Sequence, residues 1–241
     1  MSTIANNIAK VAARIREAAQ AVGRDPDTIG LMAVSKTQPA AAIREAHEAG
    51  LLDFGENYLQ EALEKQAELA DLPLVWHFIG PIQSNKTKPI AEHFDWVHSV
   101  DRLKIAQRLS NQRPAELPPL NVCLQVNVSH EPSKSGCAPE DAAELARAIA
   151  ALPRLRLRGL MAIPEPTDDP VEQHAAFARV RQLQEQIGAQ LDCLSMGMSQ
   201  DLEAAIAEGA TWVRIGTALF GARTYPAQSD TPPANDQRNN R

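Results

Sequence analysis

Eight short apolar runs, separated by stretches with helical spacing, restrict the fold of this chain more than any other feature. The runs lie at 29–36, 51–57, 74–81, 96–100, 120–128, 155–163, 193–197 and 211–217. The stretches between them, such as PAAAIREAHEAG and EDAAELARAIAAL, are long enough to connect one parallel strand to the next. Eight such units in 241 residues are typical of a closed (β/α)8 barrel. We therefore predict a single α/β domain of the TIM-barrel type, and an open doubly wound sheet remains the alternative.

The two ends of the chain differ from this alternating pattern. Near the N terminus, apolar residues at helical spacing predict an extra amphipathic helix packed on the barrel, and they are Ile4, Ile8, Val11, Ile15, Ala18 and Val22. Residues 225–241 are rich in Pro, Asn, Gln and Asp and carry few apolar residues, which predicts a disordered tail. The predicted barrel domain therefore covers residues 1–224.

Composition excludes several classes of protein. The net charge of −6 without a long basic run argues against binding to nucleic acid or to an acidic membrane surface. No apolar run approaches the roughly 18 residues of a membrane-spanning helix. The three cysteines are widely spaced, as expected for reduced thiols, and no HExxH or CxxC motif indicates a metal site. We expect a cytoplasmic protein.

Polar residues follow most of the predicted strands. They are Lys36, Glu56, Asn57, His77, Ser99, Asp101, Asn127, residues 195–199 and residues 214–217. In a (β/α)8 barrel the active site lies at this end of the strands, so the pattern predicts a ligand site there. Strand ends also meet solvent and become polar for that reason alone.

The segment from 194 to 221 has the features of an anion site. Ser199 is placed to cap the helix that QDLEAAIAEG predicts, and Gly197 allows a tight turn close to a ligand. Gly216 and Thr217 at the end of the last strand offer an amide and a hydroxyl. We predict a phosphate site here, and simple helix capping beside a glycine turn is the alternative.

Two cations are predicted to point into the barrel. Arg214 needs a polar partner there, either a carboxylate in the core or a bound heterocycle or phosphate. Strand alternation places Lys36 on the same face as Met32 and Val34. A lysine in a partly desolvated pocket can form a Schiff base with an aldehyde, and pyridoxal 5′-phosphate (PLP) combines an aldehyde with a phosphate. A lysine that extends to solvent from the strand end is the alternative.

Several segments carry a family resemblance that covers residues 31–221. They are AVSKTQP, DFGENYLQE, WHFIGPIQSNKTK, VHSVDRLKIAQRL, EPSKSG, RGLMAIP and LSMGMSQDLEAAIAEGATWVRIGTALFG. With these segments the chain resembles the YggS/PROSC family, the pyridoxal phosphate homeostasis proteins. The resemblance implies a barrel similar to that of the fold-type III alanine racemases. It also implies that members bind PLP and buffer or deliver it, with PLP-dependent apo-enzymes as candidate recipients.

The same resemblance implies roles for individual residues. Lys36 would carry the internal aldimine, Asn57 would lie near the pyridine ring, and Arg214 would lie near the ring or the phosphate. The residues implied around the phosphate are Ser195, Met196, Gly197, Ser199, Gly216 and Thr217. His77 is expected to pack or hydrogen-bond near the pocket, and Lys134 in EPSKSG is a further candidate contact for an anion.

A racemase-like enzyme is the alternative to a carrier. Racemisation needs two positioned bases, and this chain has only two tyrosines, Tyr58 and Tyr225, to serve opposite Lys36. The barrel accounts for nearly the whole chain, which leaves no second domain to cover its mouth. An arginine beside the ring nitrogen would weaken the electron sink. We therefore favour a monomeric PLP carrier, and we assign no catalytic residue.

Overall fold

The computed structural model describes residues 2–129, 135–188 and 190–221, and within them eight parallel strands form a closed barrel. Each strand pairs with the next, and β1 also pairs with β8. The strands are β1 Gly30–Val34, β2 Asp53–Glu56, β3 Val75–Phe78, β4 Trp96–Val100, β5 Leu120–Gln125, β6 Leu155–Met161, β7 Cys193–Ser195 and β8 Trp212–Ile215. All the predicted strands are confirmed, and closure rules out the open sheet.

Helices alternate with the strands and surround them. They are α1 Thr3–Ala21, α2 Ala40–Glu48, α3 Leu59–Glu68, α4 Thr87–His93, α5 Leu103–Gln112, α6 Ala142–Ala150, α7 Pro170–Ile187, α8 Leu202–Ala207 and α9 Thr217–Phe220. In the described part of the chain, none of them is long and apolar enough to cross a membrane. The main core lies between this helical layer and the outer face of the strands, where Phe54, Val97 and Leu160 are fully buried.

The N-terminal helix α1 packs on the barrel, as its apolar spacing predicts. Ile8, Val11 and Ile15 are buried on the side that faces the barrel, and α1 contacts α8 and α9. Where α1 meets α8, the Arg14 guanidinium donates two hydrogen bonds of 2.9 Å to the carboxylate of Glu203. The helix is therefore attached to the segment that follows β7. The predicted tail, residues 225–241, and Lys134 lie outside the described residues.

The interior of the barrel holds aromatic rings and polar groups rather than aliphatic side chains alone. His77 lies between Asp53 and His98, with 2.9 Å from Nε2 to the Asp53 carboxylate and 3.0 Å from Nδ1 to His98 Nε2. Both imidazole rings contact Trp96. Burial lowers the pKa of the His98 imidazolium well below its usual value, so this ring is neutral. His77 therefore packs and hydrogen-bonds as expected, but inside the barrel and away from its mouth.

The strands are shorter than the apolar runs suggest, and the difference lies mainly at their C-terminal ends. The first predicted strand extends to Lys36, whereas β1 ends at Val34. Ser35 still donates its backbone N–H to Gly55 O at 3.0 Å, but Thr37 then adopts a φ of +64° and reverses the chain. The residues beyond the last ladder bonds become loops, and these loops build the mouth of the barrel.

Candidate functional site

A cavity of about 730 Å³ opens at the C-terminal ends of the strands. Its walls come from the ends of β1, β2, β3 and β8 and from the loops after β6 and β7. The residues predicted from the sequence that line it are Lys36, Asn57, Ser199, Arg214, Gly216 and Thr217. The structure therefore brings together side chains from both ends of the chain, as a closed barrel requires.

Ser195, Met196 and Gly197 do not line this cavity but lie directly beneath its wall. Ser195 and Met196 are completely buried, and Met196 belongs to the main core. The Ser195 hydroxyl accepts a hydrogen bond of 3.0 Å from Arg214 Nη1, and Gly197 O accepts one of 2.9 Å from Arg214 N. Ser195 and Gly197 therefore hold Arg214 in place, and Met196 N donates to Trp212 O at 3.1 Å on the same strand, β8.

Arg214 is a buried cation at the base of the cavity, with 5% of its surface exposed. Its Nη2 donates to Ala162 O at 3.0 Å, so both side-chain bonds go to uncharged oxygens. Among the described residues no carboxylate lies within ion-pair distance, although Asp201 contributes an opposing charge. Burial lowers the pKa of the Arg214 guanidinium to about 10, which leaves it charged at neutral pH. Such a cation favours an anionic ligand.

The predicted helix cap at Ser199 is wrong. Helix α8 begins at Leu202, and its N-cap residue is Asp201. The Asp201 carboxylate accepts a hydrogen bond from the backbone N–H of Met198, which folds residues 198–201 into a turn before the helix starts. Ser199 therefore lies in the cavity wall, and its carbonyl accepts a 3.1 Å bond from Arg14 on α1. Burial raises the pKa of the Asp201 carboxyl.

Lys36 and Asn57 line the opposite wall, at the ends of β1 and β2. Lys36 is half-buried and lies in the turn after β1, on the same cavity wall as Val34, as strand alternation predicts. Asn57 Oδ1 is buried and has no hydrogen-bond partner among the described residues. Gly80, two residues after β3, lets the two backbones pack closely at this point, because a Cβ at position 80 would lie 2.3 Å from Asn57 O. An unpaired buried acceptor in a cavity wall indicates a donor on the ligand.

Other polar residues predicted at strand ends take no part in the cavity. Glu56 faces α3 outside the barrel, and the Ser99 hydroxyl donates to Gly80 O at 2.6 Å. Asp101 pairs with Arg102 at 2.7 Å. The alternation of side chains along β2 explains why Glu56 points out of the barrel, because its neighbours Gly55 and Asn57 occupy the inward positions.

The loop between β6 and α7 is the part of the cavity that the sequence reasoning missed. Its contribution to the lining consists of Ile163, Pro164, Pro166, Thr167 and Asp168, joined by Gln173 from α7. This stretch shows no periodicity and few of the residue types associated with catalysis. The usable signals were its position, a proline-rich connection directly after a predicted strand, and the family segment RGLMAIP, which ends in Ile163 and Pro164. The described residues contain no group of three His, Cys, Asp or Glu side chains that could hold a metal ion.

Comparisons with known proteins agree on the family. The model of the alanine racemase N-terminal domain family matches residues 6–224. The pyridoxal phosphate homeostasis protein of Pseudomonas aeruginosa is 81% identical over 227 residues, which are 94% of this chain and 99% of that protein. PipY of Synechococcus elongatus, solved with PLP bound, is 43% identical with a TM-score of 0.79, over 90% of this chain and 100% of PipY.

The structure of alanine racemase from Corynebacterium glutamicum is similar in fold alone. It is 19% identical with a TM-score of 0.65, and the match covers 92% of this chain but 60% of the enzyme. The predicted barrel of the alanine racemase type is thus confirmed, with α1 preceding the first strand. The chain belongs to the family of pyridoxal phosphate homeostasis proteins, built on the barrel of the alanine racemase N-terminal domain.

Proposed function

We propose that this chain binds PLP at the mouth of the barrel and takes part in PLP homeostasis, storing or delivering the cofactor. The observation that carries the proposal is one cavity that holds both a half-buried amine, Lys36, and a buried arginine, Arg214, whose guanidinium makes no ion pair among the described residues. The relative with 81% identity is named for this role, and PipY has been solved with PLP bound.

The residues of the cavity fit the chemical groups of PLP. The Lys36 nitrogen would form a C=N bond with the aldehyde carbon, and the aldehyde oxygen would leave as water. Arg214 supplies a positive charge for the phosphate or the ring, and the hydroxyls of Ser199 and Thr217 offer hydrogen bonds. Asn57 Oδ1 offers the unused acceptor. A volume of about 730 Å³ is large enough for a single small cofactor.

Ser195, Met196 and Gly197 serve the proposed site indirectly. Ser195 and Gly197 hydrogen-bond Arg214 and fix its position, whereas Met196 packs in the main core and bonds the backbone of Trp212 on β8. We therefore divide the predicted residues into those that touch the ligand and these three, which support the wall behind it.

We further propose that the chain does not turn over amino acids. A racemase needs a second base opposite the lysine, and among the described residues that line the cavity there is no tyrosine. Tyr58 is 56% exposed and lies outside the lining, and Tyr225 lies outside the described residues. The carboxylates present are Asp168, which is exposed, and Asp201, which is hydrogen-bonded to the backbone.

Two experiments test these proposals. The protein is incubated with PLP, reduced with borohydride and digested, and mass spectrometry locates the pyridoxyl group; we expect it on Lys36. Lys36→Ala should lose the label, whereas Lys104→Ala, which removes an exposed lysine outside the cavity, should keep it. A label elsewhere, or none, would refute the site.

The second experiment incubates the PLP-loaded protein with L- and D-amino acids in deuterated water. A carrier should show no sustained exchange of the α-proton, and multiple turnovers at enzyme-like rates would favour the racemase-like alternative.

We also propose that the protein works as a cytoplasmic monomer that supplies PLP-dependent apo-enzymes. Light scattering on the purified chain tests the monomer, and activation of an added apo-enzyme by the loaded chain tests the delivery.

A further inference from the structure

A cluster of charged side chains, two buried and one part-exposed, lies just outside the barrel wall, behind Lys36. We use the name Lys65 cluster for Lys65, Glu61 and Glu56, which come from α3 and the end of β2. Lys65 is 5% exposed, and its ammonium donates to Glu56 Oε1 at 2.8 Å and to Glu61 Oε1. It also donates to Ser35 O at 2.7 Å. These three acceptors match the three protons of the ammonium.

The cluster binds the residue on each side of Lys36. Ser35 is fully buried and is held twice, through its carbonyl by Lys65 and through its hydroxyl, which donates to Glu56 Oε1 at 2.6 Å. Thr37 is held by its backbone N–H, which donates to Glu61 Oε1 at 2.5 Å. The backbone at Lys36 is therefore tied at both neighbouring residues to the same set of charges.

The conformation that these bonds hold is an unfavourable one. Thr37 has a φ of +64°, which a β-branched residue rarely adopts. Such a conformation persists only where the surroundings determine it from several sides. Gln38 N donates to Ser35 O at 3.0 Å and closes the turn, and Gln38 itself lines the cavity. The turn thus places two side chains, those of Lys36 and Gln38, in the lining of the cavity.

Stability alone does not account for such a cluster. Removing charges from water costs free energy, and buried ion pairs are often no more stabilising than apolar residues of the same volume. Lys65 and Glu56 do not line the cavity, so they do not touch a ligand there. Their hydrogen bonds lead instead to the turn that carries Lys36.

We propose that the Lys65 cluster is a positioning device, which holds the turn at residues 35–38 so that the Lys36 amine points at the aldehyde of the cofactor. The proposal rests on the proposed function in one respect, namely that Lys36 is the attachment site. Lys65, Glu61 and Glu56 act through the backbone of Ser35 and Thr37.

The first test compares two changes at Glu61, because its side chain is 30% exposed against 7% for Lys65, and we expect substitution there to disturb the fold less. Glu61→Ala removes the acceptor of both the Thr37 N–H and the Lys65 ammonium, whereas Glu61→Gln keeps an oxygen in that position. We expect Glu61→Ala to raise the dissociation constant for PLP about tenfold or more, as displaced reacting groups do. Glu61→Gln should stay within about twofold of wild type.

A second substitution separates positioning from loss of stability. Thr37→Gly permits the same backbone conformation without strain, so it should restore most of the PLP affinity in the Glu61→Ala background. Lys65→Met should weaken binding at least as strongly as Glu61→Ala. The matched control is Arg113→Met, because Arg113 is also 5% exposed and is held by backbone carbonyls, at Pro118, Ala91 and Phe94, away from the cavity. This control should lower the unfolding temperature and leave PLP affinity unchanged.

A measurement on the apo-protein tests the positioning role of the Lys65 cluster separately from PLP binding. The apo-protein is treated with formaldehyde and cyanoborohydride, and mass spectrometry follows the methylation rate of Lys36 against that of exposed lysines. Glu61→Ala should change the rate at Lys36 and leave the rates of the exposed lysines unchanged, whereas Glu61→Gln should leave both unchanged.

Positioning would be overturned if Glu61→Ala bound PLP like wild type, if its loss were no larger than that of Arg113→Met, or if Thr37→Gly restored nothing. If wild type itself took up no PLP, the proposed function would fail. The methylation rates would then still decide whether the cluster orients Lys36.

Discussion

Gly197 offers the sharpest test of how the cavity wall is built. It lies between the buried end of β7 and the turn at residues 198–201, with a φ of +95°. A Cβ at this position would lie 2.5 Å from the Cβ of Ala205 on α8. Gly197→Ala therefore imposes two separate penalties, one on the backbone and one on packing.

The two penalties have different sizes. An alanine held in the left-handed region costs about 1–2 kcal/mol, and overpacking of a well-filled core costs about 1–3 kcal/mol. We therefore expect Gly197→Ala to lower the free energy of unfolding by about 2–5 kcal/mol. For a chain of this size the corresponding fall in unfolding temperature is roughly 4–20 °C.

Gly50 provides the matched control for the backbone penalty. Its φ is +99°, but a Cβ there would meet nothing within 4 Å. Gly50→Ala should therefore cost only about 1–2 kcal/mol. A second control, Ala205→Gly, removes the atom that clashes, so it should recover part of the loss in the Gly197→Ala background beyond its own cost of about 1 kcal/mol for glycine in a helix.

Chemical unfolding checks this reasoning on four variants, namely Gly197→Ala, Gly50→Ala, Ala205→Gly and the double variant of Gly197→Ala with Ala205→Gly. PLP titration of the same variants follows. The titration should show weaker binding in Gly197→Ala, because the loop that carries Ser199 and the backbone bond to Arg214 must shift. If Gly197→Ala and Gly50→Ala lost the same stability, or if Ala205→Gly recovered nothing, the close approach to α8 would not be what fixes this wall.

Three further predictions concern buried polar groups. Asn57→Leu removes an unpaired buried acceptor, so the apo-protein should unfold at no lower temperature while PLP affinity, measured by titration, falls about tenfold. Burial raises the pKa of the Glu56 carboxyl, so its contribution to stability is present below the ordinary glutamate pKa of 4.5 and is lost as pH rises through the folded value. Urea unfolding from pH 4 to 8 should show a smaller loss in Glu56→Gln, and an equal loss would refute this assignment. Burial also raises the pKa of the Cys123 thiol well above its usual value, and Cys193, 3.5 Å away, is itself buried, so iodoacetamide should label neither cysteine until urea unfolds the protein.

The order of elements was predictable because it depends on patterns that are local in the chain. Apolar runs bounded by helical stretches identify parallel strands, and their number is what a closed barrel needs. The ends of the strands were not predictable in the same way. At β1 the end depends on the conformation of Thr37, which is held by Glu61 from the following βα unit. No local pattern around residue 36 contains that contact.

The candidate site shows the same division. Lys36 and Arg214 were placed inward by strand alternation, and both line the cavity. The predicted cap at Ser199 was wrong because the N-cap residue is Asp201, two residues later. The Asp201 carboxylate accepts a hydrogen bond from the Met198 N–H, and the helix begins at Leu202. Both residue types are good caps, so the sequence alone did not rank them.

The pairing of β1 with β8 explains why these distant segments form one site. Met32 lies in register with Arg214, and Ala33 with Ile215, so the strand that leads to Lys36 runs beside the strand that leads to Gly216. Gly216 keeps the two ends close, since a Cβ there would lie 3.2 Å from Val34 O. The separation between the Lys36 turn and the wall at residues 216–218 is therefore set by backbone hydrogen bonds rather than by flexible side chains. If PLP binds as we propose, its aldehyde would lie at Lys36 and its anionic group at residues 216–218, at the fixed distance that the rigid pyridine ring provides. On that proposal, closure of the barrel itself would set the selectivity for such a ligand.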